Sequence, residues 1–226
     1  MKKIVVAIDG PAGAGKSSTA RAVADALGYV YIDTGAMYRA ITLKIIERKI
    51  SENDIEAIRT LLASTFISFQ PAEKTFRVLL DNKEVTNEIR SHDVTNAVSA
   101  ISALECVRTK MVEEQRRLGK EGGVVVEGRD IGTVVFPKAE VKIFLIASEA
   151  ARTKRRQKEL QESGILISDE DLQKQIHVRD TKDSGRRLSP LTKADDAIEL
   201  DTTNMTFAQQ VEFIVTQARN VIKSKE

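Results

Sequence analysis

The chain has 226 residues, of which 42% are hydrophobic and 30% charged, a composition that suits a soluble globular protein built as one large α/β domain with insertions or as two smaller domains. With 35 basic and 33 acidic side chains the formal net charge is only +2, which argues against general attraction to nucleic acid or a membrane, so any cluster of arginines needs a local anionic target. One cysteine, Cys106, excludes an intramolecular disulfide and fits a reducing cytoplasm, and two histidines beside it do not make a zinc site of the usual kind.

The opening Met1-Lys2-Lys3-Ile4 runs straight into a strand, so no cleavable leader is expected. No apolar run approaches the roughly 20 residues of a membrane span. The first strand is expected at Lys3 to Ile8, a continuous apolar run of the kind found in a parallel sheet covered on both faces. It leads into Gly10-Pro11-Ala12-Gly13-Ala14-Gly15-Lys16-Ser17, which fits the spacing of a phosphate-binding P-loop at every fixed position, and the helical run Ser18 to Leu27 follows. The glycines let successive backbone N–H groups turn inward, and the helix N-terminus adds its positive dipole end. A polyphosphate is the expected guest, with Lys16 reaching its outer phosphates and the Ser17 hydroxyl holding Mg²⁺.

Tyr29 to Ile32 reads as a second strand ending in Asp33-Thr34-Gly35, and a helix is expected from about Ala36 with Met37, Tyr38, Ile41, Ile45 and Ile46 at helical spacing. Between Ser51 and Asn96 the pattern changes. Asp54 to Ala63 is helical by period, Thr65 to Phe69 and Thr75 to Leu80 read as strands joined by a turn containing Pro71, and Asp81 to Glu84 reads as a turn leading into Val85-Thr86. This is the signature of a small antiparallel sheet inserted into an α/β chain.

One long helical region is expected over Asp93 to Leu118, ended by Gly119 to Gly123. Strands follow at Val124 to Val126, which ends in Glu127-Gly128-Arg129-Asp130, and at Val141 to Ile146, after which Ser148 can cap a helix starting at Glu149. Arg152 to Leu188 is intensely charged, split near Gly164, with its second half opening on Ser168-Asp169-Glu170-Asp171. A last strand at Ala197 to Asp201 precedes an amphipathic helix, Thr206 to Ile222, expected to turn Phe207, Val211, Ile214, Val215 and Ala218 inward. Five strands alternating with helices imply a mostly parallel sheet, with ligands gathered at the carboxyl ends of the strands.

The chemistry then falls on a few positions. Arg39 and Arg129 leave strand ends as planar cations suited to bidentate phosphate contacts, and Asp130 can orient Arg129 or take a ligand hydroxyl. Lys154, Lys158 and Lys174 read as a solvated helix face. Arg179, Asp180, Asp183, Arg186 and Arg187 instead cluster just before Pro190, where arginines on a lid can close over a transferring phosphoryl group and exclude water.

Four blocks carry a resemblance: residues 8–17, Asp-Thr-Gly-Ala-Met-Tyr-Arg at 33–39, Glu-Gly-Arg-Asp-Ile-Gly-Thr-Val-Val-Phe-Pro at 127–137, and Arg-Asp-Thr-Lys-Asp-Ser-Gly-Arg at 179–186. In this order they resemble the bacterial cytidylate kinases, nucleoside monophosphate kinases of the P-loop class. The resemblance implies a P-loop NTPase three-layer α/β fold: a five-stranded parallel core (1–32, 97–151 and 187–226), an inserted monophosphate-binding region with a small antiparallel sheet (33–96), and a helical lid (152–186). It implies phosphorylation of CMP and dCMP by ATP with Mg²⁺. The lone cysteine and balanced charge already point to a cytoplasmic protein without nucleic-acid or membrane partners, and with no exposed apolar helix face left unassigned a monomer is expected. ATP would be held by Gly10 to Ser18 and by Arg152 near the adenine. CMP would be held by Thr34, Tyr38, Arg39, Ser99, Arg108, Arg129, Asp130, Arg179, Asp183 and Arg186, with Ser99 facing the cytosine and Asp183 and Arg186 at ribose and base. Lys16, Arg129, Asp130 and Arg179 would carry catalysis. Glu127 stands where some relatives have aspartate. A kinase of another small acceptor would share the P-loop and lid but not the cytosine-facing pair, and a nucleotide-dependent switch would share the P-loop alone.

Overall fold

Apolar runs and helical periods give sixteen regular elements among the described residues, which in this computed structural model are 3–71, 76–162 and 167–224. In chain order they are β1 (Val5–Asp9), α1 (Lys16–Leu27), β2 (Val30–Asp33), α2 (Thr34–Glu47), α3 (Ile55–Ala63), β3 (Ile67–Pro71), β4 (Phe76–Leu80), β5 (Lys83–Glu84), α4 (His92–Ile101), α5 (Glu105–Leu118), β6 (Val124–Gly128), β7 (Val141–Ile146), α6 (Glu149–Glu162), α7 (Asp169–Ser184), β8 (Ile198–Asp201) and α8 (Phe207–Ser224). Gly164 and Thr75 lie outside the described residues. The chain divides into two compact units, residues 1–32 with 118–226, and residues 33–117.

The five-stranded parallel sheet has the order β2-β6-β1-β7-β8. Its central strand β1 pairs with β6 (Val5 opposite Val124) and with β7 (Val6 opposite Val141), and β7 pairs with β8. Ile4, Val6, Ala7, Ile8, Val125, Val126, Ile143 and Leu145 are all buried, as the unbroken apolar runs require of strands covered on both faces. Helices α1 and α8 pack together, as do α6 and α7. Ser148 Oγ accepts the Ala151 amide at 3.3 Å to start α6, and Ser168 Oγ accepts the Asp171 amide at 3.1 Å to start α7. Ile214, Val215 and Ala218 face the core as expected, whereas Phe207, the first residue of α8, is 51% exposed.

In the unit of residues 33–117 the antiparallel sheet β3-β4-β5 is present. The expected turn at Asp81 to Glu84 is shorter than it reads. Asp81 and Asn82 alone form it, both at positive φ, and Lys83 and Glu84 already pair with β4, the geometry of a two-residue hairpin loop. Asp33 Oδ1 accepts the Ala36 amide at 2.9 Å, so α2 begins at Thr34 rather than Ala36. The expected long helix over 93–118 is two helices. Ser102 to Leu104 interrupt it, Ser102 Oγ bonds the Ser99 carbonyl at 3.1 Å, and the Arg108 guanidinium donates to the Ser102 carbonyl at 3.2 Å, capping α4 from the first turns of α5.

Candidate nucleotide site

The loop between β1 and α1 owes its path to glycine. Gly10 has φ of +149°, and a Cβ there would stand 2.2 Å from the Leu145 carbonyl oxygen on the neighbouring strand, so no side chain fits. Gly13 and Gly15 also take positive φ, and Thr19 N closes the first helical turn onto the Gly15 carbonyl at 3.1 Å. Pro11, Ala12 and Ala14 complete the cradle. Ser17 and Ser18 are exposed in the first turn of α1, where free N–H groups and the helix dipole favour an anion.

Lys16 is buried and its Nζ donates to the Pro11 carbonyl at 2.7 Å. Burial pushes its pKa well below the ordinary lysine range, nearby Arg129 and Arg179 push the same way, and Glu127 and Asp9 oppose them. Glu127 accepts the Tyr31 hydroxyl, and the Arg21 guanidinium lies over the Tyr31 ring, 5.6 Å from its centroid. Asp9 is buried at the end of β1, where it accepts the amides of Ile131 at 2.9 Å and Gly132 at 2.7 Å. Burial raises its pKa to about 6 against the pull of those two amides. Asp9 thereby ties the turn after β6, a π-helical turn at Ile131–Val135 that starts on the Asp130 carbonyl, to the strand that launches the P-loop.

Arg129 leaves β6 beside β1, and its Nε donates to Asp183 Oδ2 at 2.8 Å, while Arg186 pairs with Asp183 Oδ1. Burial disfavours the Asp183 charge, but Arg129, Arg186 and Arg179 outweigh it and hold the carboxyl below its usual range. Asp130 is buried. Arg152 on α6 pairs with Asp180 on α7 and donates to the Ala12 carbonyl at 3.1 Å. Thus the P-loop, Lys16, Arg129, Asp130, Arg152, Arg179, Asp183 and Arg186 belong to one unit, and Lys154, Lys158 and Lys174 are exposed as a solvated face should be. Arg187 is exposed too.

Thr34, Tyr38, Arg39, Ser99 and Arg108 belong to the unit of residues 33–117. Arg39 donates to Thr95 Oγ1 at 3.0 Å and to the Ile89 carbonyl at 3.3 Å, and Arg108 lies over the Tyr38 ring, 5.4 Å from its centroid. Thr95 and Ser99 are one turn apart on α4, so Ser99 shares the face that meets Arg39. Thr34 is buried at the start of α2.

Asp9, Asp180 and Arg155 are part of this chemistry without having been singled out by sequence as ligands. Arg155 donates to the Ala14 carbonyl at 3.2 Å, to Thr202 Oγ1 at 2.9 Å and to the Thr202 carbonyl at 2.6 Å, linking the P-loop to the end of β8. An acid directly before the first P-loop glycine was a readable signal for Asp9. Arg155 offered none, standing in a run of similar charges.

A strand-loop-helix phosphate cradle at the end of a five-stranded parallel sheet, with a buried lysine and arginines converging beside it, defines a P-loop α/β protein of the phosphate-binding class. The chain belongs to the cytidylate kinase family, whose model matches residues 6–220. It is similar to the cytidylate kinase of Pediococcus pentosaceus, 52% identical over 223 residues that cover 99% of both chains, and to that of Enterococcus faecalis, 52% identical over 225 residues that cover 100% of this chain and 98% of the relative. Its fold resembles the crystal structure of an uncharacterized protein from Eubacterium ventriosum, with a TM-score of 0.52 at 12% identity, covering 97% of this chain and 99% of that one.

Proposed function

We propose that the protein transfers the γ-phosphoryl group of ATP to CMP or dCMP, giving ADP and CDP or dCDP. The observation that carries this is the full-length likeness, at about half identity, to cytidylate kinases. The residues have the chemistry for it. The P-loop amides of Gly10 to Ser18 cradle the donor phosphates, and Arg152 sits at the adenine. Thr34, Tyr38 and Arg39 in the 33–96 acceptor region, Ser99 on α4 and Arg108 on α5, with Arg129, Asp130, Arg179, Asp183 and Arg186, serve the CMP. Residues 152–186 act as the lid.

No covalent enzyme intermediate is required. An oxygen of the monophosphate attacks in line, and Lys16, Arg129 and Arg179 neutralise charge that spreads over the moving phosphoryl group. Asp183, gripping Arg129 and Arg186 with its two oxygens, sets their direction before substrate arrives. Among the described residues no group of three or more His, Cys, Asp or Glu is placed to hold a metal alone. Ser17, exposed in the first turn of α1, fits an Mg²⁺ held by its hydroxyl and by the nucleotide's own oxygens, where the ion would offset phosphate charge. No described helix is long and apolar enough to cross a membrane. The protein is read as a cytoplasmic monomer without nucleic-acid partners.

An ADP-release assay across CMP, dCMP, UMP, AMP and GMP tests the reading. Turnover with CMP and dCMP well above the other three is expected. Preference for any non-cytidine acceptor would overturn the specificity, and slow ATP hydrolysis indifferent to acceptor would make the protein a nucleotide switch.

A further inference from the structure

Asp180 stands one turn before Asp183 on α7, and its two oxygens are divided between the loop and the helix that flank the donor side. Oδ1 accepts the P-loop amide of Ala12 at 2.9 Å, while Oδ2 pairs with the Arg152 guanidinium of α6. The same guanidinium donates to the Ala12 carbonyl at 3.1 Å. Ala12 is therefore held on its N–H side by the acid and on its C=O side by the base of a single ion pair. Both side chains are largely shielded, at 13% and 18% exposure, so their attraction is screened far less than that of a surface pair. The backbone packs as closely as the side chains do, since a Cβ on Gly13 would lie 3.1 Å from the Arg152 carbonyl oxygen.

We infer that Asp180 is a positioning residue for the donor nucleotide: acting through Arg152 and Ala12, it fixes the guanidinium against the mouth of the P-loop. The inference rests on the reading of the P-loop as the ATP site. A long arginine side chain left alone samples many rotamers, and ordering it on binding costs affinity. Asp180 meets that cost in the free protein. The partners it holds among the described residues, Ala12 and Arg152, are both on the donor side and neither is assigned to CMP.

The test uses Asp180→Asn, Asp180→Ala, Arg152→Gln and the double variant Asp180→Asn/Arg152→Gln, each in the full chain. Losing a hydrogen bond to a charged group predicts an ATP KM about tenfold higher in Asp180→Asn, with kcat and the CMP KM within about twofold of wild type. Because Asp180 acts through Arg152, the double variant should be no worse than Arg152→Gln alone. In the nucleotide-free protein, amide exchange over residues 10–15 should accelerate about tenfold in Asp180→Ala, whereas the control Glu170→Gln, exposed in the first turn of α7, leaves it unchanged. Additive effects in the double variant, a parallel rise in both KM values, or unchanged exchange would overturn the inference. Should the wild-type protein release no ADP with any acceptor, the donor reading itself falls, and the exchange measurement still decides whether Asp180 holds the loop.

Discussion

Lys16 is a cation with almost no water around it, placed near two arginines and two carboxylates. The proposed role requires of it a charge that its surroundings disfavour until phosphate arrives. Its folded pKa is depressed, to about 7, so the stability it contributes is present above the unfolded value and lost as pH falls through the folded one. Lys16→Met should therefore raise the melting temperature of the nucleotide-free protein, most below pH 7, with the gain shrinking as pH rises toward that of an ordinary lysine. The same substitution should lower kcat/KM by about 10² to 10³. A variant that melts lower than wild type at pH 6 would show that the buried charge is not costly, and one that keeps wild-type turnover would show that it is not catalytic. Asp9 has the opposite sign. Its folded pKa is raised, so its contribution is present at acid pH and lost as pH rises through about 6. Asp9→Asn should accordingly flatten the stability profile between pH 4 and pH 6 on thermal melts, while costing one of the two amide bonds that hold the turn after β6.

At the scale of elements, glycines at two loop positions separate steric from conformational cost. Gly28 ends α1 at φ +65° with nothing within 4 Å of where a Cβ would lie. Gly28→Ala should therefore cost about 1 to 2 kcal/mol, the left-handed penalty alone. Gly10→Ala meets a backbone oxygen on β7 and should cost more than about 4 kcal/mol or give no folded protein; urea midpoints compare the two. The legibility of the sequence follows the same division. Strands β1, β6 and β7 and the P-loop were readable because their signals are contiguous: apolar runs, then a fixed spacing. The break between α4 and α5 was not, since Ile101, Leu104 and Val107 keep the helical period across it and the interruption depends on Arg108 reaching back to the Ser102 carbonyl. For the same reason the roles of Asp180 and Arg155 are not legible: each bonds a partner far away in sequence, and local patterning carries no trace of such pairs, whereas Asp9 is marked by its place directly before the first P-loop glycine. Phe207 is exposed against its helical period because a period predicts a direction but not whether the first turn has anything to pack against.

For the whole molecule, the proposed reading has the metal arrive with the nucleotide, held by phosphate oxygens and the Ser17 hydroxyl. Chelation with EDTA should then abolish turnover, while the melting temperature of the nucleotide-free protein stays within about 2 °C, since on that reading the free protein has no ion to lose. A fall larger than that would reveal a structural cation. Activity should return on adding Mg²⁺ and less readily with Ca²⁺, whose larger, looser coordination suits the phosphate geometry less well.

The chain contains no tryptophan and three tyrosines, and these fall at positions 29, 31 and 38. Its natural fluorescence therefore arises from a ten-residue window. Within it, Tyr31 donates to the Glu127 carboxylate, a partner that quenches an excited phenol by accepting its proton, and Tyr38 lies beneath the Arg108 guanidinium. The protein thus carries its own optical gauge: Tyr31 is expected to emit weakly and Tyr38 to respond to charge near Arg108, so a change in emission on adding ATP or CMP, without any attached dye, is the expected report of binding.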